Sequence, residues 1–229
     1  MHVDVICRSS ASAARLRLDR GETVTCELGS MIAMSPGLEV DTTTRNRGGG
    51  GILKGLKRMF SGENFFLNHY TAQADGQELI LAPALVGDVS QHRLSGGGRI
   101  IIQGSCWLAA GDGIDIDTTW QGLVKGIFGG EGLFWVKCSG EGEVLFHSFG
   151  GIYTVDIIDR YTVDTGHIVA FEDTLDFRIG KASRSLIGSF LGGEGLVCKF
   201  QGQGRLWCQT HNPPGFGGTL GPLLKPIRR

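Results

Sequence analysis

The sequence lacks the features that mark membrane-spanning and nucleic-acid-binding proteins. Its longest apolar stretch, from Leu79 to Val86, is interrupted by Pro83 and is far shorter than the about 20 apolar residues of a membrane-spanning helix. The N-terminus has neither the charged region nor the long apolar region of a secretion signal. With a formal net charge of −1, the chain has no overall attraction to nucleic acid or anionic lipid. We therefore expect a soluble, cytoplasmic protein that does not bind DNA.

Motifs for metal binding and catalysis are missing as well. The six histidines are scattered, without a spacing such as H-E-x-x-H, and the six cysteines contain no C-x-x-C pair. There is no G-x-S-x-G motif, and Ser105 lies inside a strand pattern that offers no partner base. We expect neither a metal nor a cofactor, and no enzymatic activity. An active site built between subunits is the alternative, because a single sequence does not reveal one.

Two cysteines occupy symmetric positions in the sequence. Cys198 and Cys208 are equidistant from the centre of Gly202-Gln203-Gly204, so they would lie opposite each other if this segment were a hairpin turn. Thiols of cytoplasmic proteins are normally reduced. We interpret the pair as small apolar side chains packed across two paired strands, with a functional disulfide or thiol pair as the alternative.

Glycine, by contrast, is abundant: the chain has 38 glycines in 229 residues, whereas average usage is roughly 7%. Short apolar runs alternate with these glycines, which indicates many turns and many short strands. One glycine-containing motif occurs three times, and a short apolar run follows each copy, which is typical of repeat architectures. The copies are Phe60-Ser61-Gly62-Glu63-Asn64, Phe128-Gly129-Gly130-Glu131-Gly132 and Leu191-Gly192-Gly193-Glu194-Gly195.

The residues around each copy predict one common unit. Upstream, two segments that alternate apolar and polar residues, separated by a turn, predict strands with one buried face. Directly before the motif, apolar residues at i, i+3 and i+4 predict a short helical turn. Downstream, two apolar strands flank Asp75-Gly76, Gly140-Glu141-Gly142 or Gly202-Gln203-Gly204, which are hairpin signals. The fold prediction is therefore all-β: three tandem β-sandwich-like repeats, each with a short helical turn before a Gly-Glu corner.

These patterns set the boundaries of three repeats and a tail. We place the repeats at residues 1–83, 84–150 and 151–211. Residues 212–229 form a tail that we expect to be irregular, because two adjacent prolines and several glycines cannot continue a strand. A single repeat would leave unpaired strand edges, and association of repeats edge to edge in a closed ring would pair them.

The three motifs and their following strands, together with Gly150-Gly151-Ile152-Tyr153-Thr154-Val155-Asp156, resemble the mitochondrial-biogenesis family of altered inheritance of mitochondria. The resemblance covers nearly the whole chain, and the bacterial members of that family are mostly uncharacterised. It implies three tandem domains similar in fold to the tryptophan RNA-binding attenuation protein, and three chains that close a pseudo-nine-membered ring. Eukaryotic relatives resemble organisers at the mitochondrial inner membrane, with no established catalytic chemistry. We see no targeting segment, so we do not expect the mitochondrial location to carry over.

The three glutamates of the repeated motif, Glu63, Glu131 and Glu194, are the first candidate site. They could form equivalent positions between repeats that bind cations or another ligand. Alternatively, each carboxylate accepts backbone N–H groups at a tight turn and holds the corner between the helical turn and the strand. We favour the structural role, because fold geometry alone explains a residue that recurs at one place in every repeat.

A basic, glycine-rich stretch at residues 45–58 is the second candidate site. It is longer than the corresponding segments of the other repeats, and basic side chains near apolar residues suit an anionic membrane surface. A phosphate-binding loop is disfavoured because the Gly-Lys-Ser/Thr sequence is absent. A solvated, flexible insertion is the alternative. The basic residues are Arg45, Arg47, Lys54, Lys57 and Arg58.

RNA binding would require basic residues at matching places in every repeat, with bases stacked nearby. Arg58 instead aligns with Gly126 and Ser189, so we disfavour RNA, and no residue of a tryptophan site can be matched. We predict a non-enzymatic, ring-forming homotrimer that acts as a scaffold or interaction protein. The alternative is a protein that binds a small molecule between repeats or an anionic membrane surface through residues 45–58.

Overall fold

The computed structural model describes residues 1–9, 11–43, 67–117, 134–181 and 196–224 of the chain. In these ranges β-strands predominate, and the all-β prediction is confirmed. The strands are β1 (His2–Ile6), β2 (Ala13–Leu18), β3 (Thr23–Glu27), β4 (Met31–Met34), β5 (Leu38–Thr43), β6 (Leu67–Ala72), β7 (Gln77–Leu81), β8 (Val89–Leu94), β9 (Arg99–Gln103), β10 (Trp107–Gly111), β11 (Ile114–Asp117), β12 (Trp135–Gly140), β13 (Gly142–His147), β14 (Ile152–Ile157), β15 (Arg160–Asp164), β16 (Ile168–Glu172), β17 (Leu175–Lys181), β18 (Leu196–Gly202) and β19 (Gly204–Gln209).

The local sequence explains how the strands are oriented. In β2, Leu16 and Leu18 are fully buried while Arg17 between them is exposed, as expected for a strand with one face against the core. In β10, every residue from Trp107 to Gly111 is buried, so this strand lies inside the molecule with both faces covered. Short 3₁₀ helices, Gly104–Cys106 and Thr165–His167, precede β10 and β16.

The described strands form four sheets. Their strand orders are β1-β2-β7-β4, β5-β6-β3-β10-β13-β8, β11-β12-β9-β16-β19-β14 and β15-β18-β17. The pairings between named strands in these sheets are antiparallel. Two sheets therefore have six strands, one has four and one has three.

One pattern of strand pairing occurs three times along the chain. In β8–β13, the first and third strands pair with the sixth, and the second and fourth pair with the fifth. The same pairings occur in β14–β19 and in β2–β7. We call β2–β7 unit 1, β8–β13 unit 2 and β14–β19 unit 3. Consecutive units share a sheet through β3–β10 and β9–β16, and the predicted boundaries of independent repeats stay predictions.

The glycine turns predicted to close hairpins do not do so. Strands β6 and β7, β12 and β13, and β18 and β19 flank these turns, and the two strands of each couple belong to different sheets. At Gly140 and Gly142 the φ angles are 111° and 145°, values that L side chains rarely adopt, and Gly202 has a φ of 123°. The turns carry the chain from one sheet to the other, so the hairpin prediction is wrong.

Cys198 and Cys208 are correspondingly not opposite each other on paired strands. Cys198 lies opposite Val163 and Ile179, whereas Cys208 lies opposite Tyr153 in its own sheet. Both thiols are free and buried in one apolar cluster. The prediction of small apolar side chains holds, but their packing across a strand pair is wrong.

Apolar side chains from one unit close the core of the unit before it. The core of unit 1 includes Leu108 and Leu145 from unit 2. The core of unit 2 includes Val169, Ala170 and Trp207 from unit 3. Neighbouring units are thus joined by a shared sheet and by a shared core.

The predicted tail contains a helix, α1 (Pro213–Leu220), rather than irregular chain throughout. The Asn212 side chain accepts a hydrogen bond from the Gly215 N–H, which caps the helix, and the prolines occupy its first turn, where no intrahelical N–H donor is needed. Phe216 of α1 packs against Phe149, with 5.1 Å between the ring centroids. In the described part of the chain, no helix is long and apolar enough to cross a membrane.

Candidate functional site

The glutamates predicted as a repeated site lie outside the described residues. Each belongs to a segment that connects the fourth and fifth strands of a unit: 44–66 in unit 1, 118–134 in unit 2 and 182–195 in unit 3. They therefore occupy connections of the same topological kind, and their roles stay predictions. These residues are Glu63, Glu131 and Glu194.

The basic residues of the stretch 45–58 also fall outside the described residues, within the connection between β5 and β6. The predicted helical turns before the Gly-Glu corners fall in the same connections, so they likewise stay predictions. The basic residues are Arg45, Arg47, Lys54, Lys57 and Arg58.

An unusually exposed apolar strand lies at the edge of the four-stranded sheet. β4 is the third strand of unit 1, and its Met31, Ile32 and Met34 are 41%, 59% and 42% exposed. In β10, the third strand of unit 2, the residues Trp107 and Leu108 are 0% exposed. The difference arises because β10 also pairs with β3, whereas β4 ends its sheet after β7.

A matching edge lies at the other end of the chain. β15 is the second strand of unit 3 and ends the three-stranded sheet. Its Tyr161 is 43% exposed, whereas Val24 and Ile100, which hold the same register position in β3 and β9, are 0% exposed. The difference arises because β3 pairs with β10 and β9 pairs with β16, the third strand of the following unit in each case.

A pocket of about 440 Å³ opens beside this edge. It lies at the surface of unit 3, next to the unit's apolar core, since Val163 belongs both to the pocket wall and to the core. Its main lining residues are Tyr153, Tyr161, Val163, Asp164, His167 and Gln209.

The polar side chains of the pocket are held by their own chain. Asp164 Oδ1 accepts a 2.8 Å hydrogen bond from Gly166 N, which caps the following 3₁₀ helix. His167 Nδ1 donates to the Gln209 carbonyl oxygen at 2.8 Å, and its Nε2 accepts from the Asn212 amide at 3.1 Å. Both ring nitrogens of His167 thus have partners within the chain, and this imidazole has a structural role.

The clearest grouping of a thiol with a base lies elsewhere, at the junction of units 1 and 2. His147 Nε2 is 3.7 Å from Glu27 Oε2, and Cys106 is buried nearby. Burial raises the pKa of the Cys106 thiol to about 12, so the thiolate needed for nucleophilic attack is scarce at neutral pH. Among the described residues, no group of three His, Cys, Asp or Glu side chains could hold a metal ion.

Sequence reasoning missed both strand edges. The signal was present, because Met31-Ile32-Ala33-Met34 aligns with Trp107-Leu108-Ala109-Ala110 as another third strand. The sequence did not reveal the missing partner strand, because an apolar run has the same pattern whether its strand edge is paired or unpaired.

Comparison with known proteins gives a family over most of the chain. The model of the family described as mitochondrial biogenesis AIM24 matches residues 3–211. An uncharacterised protein of Streptococcus pyogenes serotype M6 is 31% identical over 215 residues, which span 89% of this chain and 83% of that protein.

A solved structure has the same overall fold. The crystal structure of a Streptococcus pyogenes protein superposes with a TM-score of 0.81 and 26% sequence identity. The match covers 97% of this chain and 99% of that one.

Proposed function

The chain belongs to the mitochondrial biogenesis AIM24 family, and we propose that it is a non-enzymatic scaffold whose copies associate head to tail into a ring of three chains. The non-enzymatic part rests on the sequence, which contains no catalytic motif, and on the buried thiol of Cys106. The ring is supported by the arrangement of the sheets.

One observation carries the proposal: the strand orders of the two smaller sheets match the two halves of a six-stranded sheet. Each six-stranded sheet has the fourth, fifth and second strands of one unit, followed by the third, sixth and first strands of the next. The three-stranded sheet ends with β15, a second strand, and the four-stranded sheet ends with β4, a third strand. Placing β4 of one copy beside β15 of another gives the order β17-β18-β15-β4-β7-β2-β1, which repeats the same sequence of strands with β1 added.

A contact between two different edges is directional, and directional contacts between identical chains produce either a closed ring or an open filament. Unpaired, apolar strand edges promote uncontrolled association, and closure removes both of these edges from solvent. Three copies would contain nine units, which is the ring size that we expect from the family resemblance.

Light scattering coupled to size-exclusion chromatography tests the assembly. A ring gives a mass three times that of the 24.5 kDa chain, independent of dilution through the micromolar range. Ile32→Asp, at the centre of the exposed edge, should yield monomers because it places a charge between apolar surfaces. Val40→Asp is the matched control, since Val40 is also exposed but lies on β5. A monodisperse wild-type monomer would eliminate the ring.

A further inference from the structure

The pocket beside β15 lies next to an unpaired strand edge. We propose that this pocket is the docking site for strand β4 of a second copy of the chain, with Ala33 opposite Val163, Met34 opposite Thr162 and Ser35 opposite Tyr161. The inference rests on the proposed head-to-tail assembly and adds to it the residues that meet and the reason why they fit.

The register follows from the two junctions inside the chain. At the first junction, Ala109 of β10 lies opposite Cys26 of β3. At the second, Ala170 of β16 lies opposite Ile102 of β9. The equivalent residue of β4 is Ala33, because the three alanines lie opposite corresponding positions of β7, β13 and β19.

The second partner of the new pair is fixed in the same way. Cys26, Ile102 and Val163 lie opposite Asn68, Val136 and Cys198, the corresponding positions of the fifth strands. Val163 is therefore the residue of β15 that takes the place of Cys26 and Ile102. This equivalence sets Ala33 opposite Val163, and the neighbouring pairs follow from the antiparallel direction.

The core of unit 3 also lacks the cover that the other cores receive. Leu108 and Leu145 of the next unit close the core of unit 1. Their equivalents in unit 1 are Ile32, which is 59% exposed, and Ile80, which is partly exposed. In a second copy these two isoleucines would cover the unit 3 core at Val163, as the two leucines cover unit 1.

The new junction differs from the internal junctions at both of its ends. Tyr161 stands where the internal junctions have Val24 and Ile100, and the register sets it opposite Ser35. At the other end, Ala82 follows β7 at the place where β13 ends with His147 and β19 with Gln209, so it is smaller than its equivalents.

The small side chain of Ala82 also removes a contact that is present at the first junction within the chain. His147 of unit 2 reaches Glu27 of unit 1 at 3.7 Å. Asp164, the equivalent of Glu27, would instead face Ala82 of the second copy. The Asp164 carboxylate does not need a histidine partner there, because it already accepts a hydrogen bond from Gly166 N.

Disulfide trapping tests the register in the assembled protein. Ala33→Cys and Val163→Cys are introduced together in a background of Cys7→Ser and Cys198→Ala, since Cys7 is the exposed cysteine and Cys198 lies opposite Val163 in the same chain. Mild oxidation should link copies covalently into dimers and trimers on a denaturing gel. Ala33→Cys with Arg160→Cys is the control, because the second cysteine then lies three positions out of register and should link far less.

A second cysteine pair tests the other end of the register. Ser35→Cys with Tyr161→Cys, in the same background, should also link copies covalently, because the register sets these two residues opposite each other. Circular dichroism of each variant separates a weakened junction from a failure to fold.

The outcomes separate the inference from the proposed function. Trapped dimers and trimers with both in-register pairs support both. A wild-type trimer in which either in-register pair gives no link overturns the inference and leaves the ring standing. A wild-type monomer overturns both.

Discussion

Trp207 of unit 3 packs edge-on against His92 of unit 2, with 5.2 Å between the ring centroids and 74° between the ring planes. Trp207 is 6% exposed and also contacts Phe146, at 5.7 Å. The indole therefore belongs to the core of the preceding unit. Packing of the unit 2 core thus requires a side chain from unit 3.

Trp207→Ala should destabilise the whole chain rather than unit 3 alone. Removing a buried indole leaves a cavity, and such substitutions cost about 3–5 kcal/mol. Urea unfolding followed by circular dichroism measures the change. Phe216→Ala provides a control for loss of an exposed aromatic, since Phe216 is 44% exposed and lies outside the pocket beside β15, and should cost far less stability. Equal losses for the two variants would contradict the role assigned to Trp207.

The same contact makes stability depend on pH. Burial, the largest cause, lowers the pKa of His92 below its ordinary value of 6.5, against the opposing influence of Glu172. The unfolded chain then binds a proton at a higher pH than the folded chain does, so stability is full above pH 6.5 and falls as the pH decreases toward the folded pKa. Urea midpoints measured from pH 7.5 to pH 5 should decline, and His92→Gln should reduce that decline. An unchanged decline in His92→Gln would assign it to other groups.

Gly140 lies in a turn that carries the chain between sheets, and a substitution there tests whether this turn requires glycine. Its φ is 111°, and a Cβ there would lie within 2.3 Å of the Gly113 carbonyl oxygen. Gly140→Ala should therefore destabilise by about 1–3 kcal/mol through backbone strain and this clash. Gly180→Ala is the matched control, because no atom lies within 4 Å of its Cβ position. Equal unfolding free energies for the two variants would contradict a requirement for glycine at this turn.

The strands were predictable from sequence, whereas their partners were not. Alternation such as Leu16-Arg17-Leu18 marks a strand with one buried face, and that periodicity is local information. The segment Gly140-Glu141-Gly142 permits a tight turn. The same turn can return the chain along one sheet or carry it to the opposite sheet. The crossing is decided by distant contacts, such as the pairing of β12 with β9 and of β13 with β8.

The candidate site shows a similar division. Its predicted residues, from Glu63 to the basic stretch 45–58, were chosen because they are repeated or unusual in composition. The strand edges instead consist of ordinary apolar residues, and they become conspicuous only when Ile32 is compared with its covered equivalent Leu108. An unpaired edge is a property of the whole strand order, so no single motif could reveal it.

The basic stretch keeps a testable role at membranes. If it contacts anionic lipid, the protein should co-sediment with vesicles that contain phosphatidylglycerol and not with neutral vesicles, because each basic side chain near the surface contributes about 1 kcal/mol. Replacing Lys54, Lys57 and Arg58 with Gln should abolish that binding. Arg17→Gln, an exposed basic residue on β2, is the control. Binding that persists after the triple replacement would place any lipid contact outside this stretch.

The thiols offer a last measurement, because the structure divides them sharply. Cys7 is exposed, while the other five cysteines are buried and free. Burial raises the pKa of Cys198 to about 12 and that of Cys208 to about 11, so both should be protonated as well as inaccessible. A thiol reagent should therefore modify one cysteine per folded chain rapidly and all six in denaturant. Cys7→Ser should remove the rapid phase, and a total of four thiols in denaturant would instead indicate one disulfide among the six cysteines.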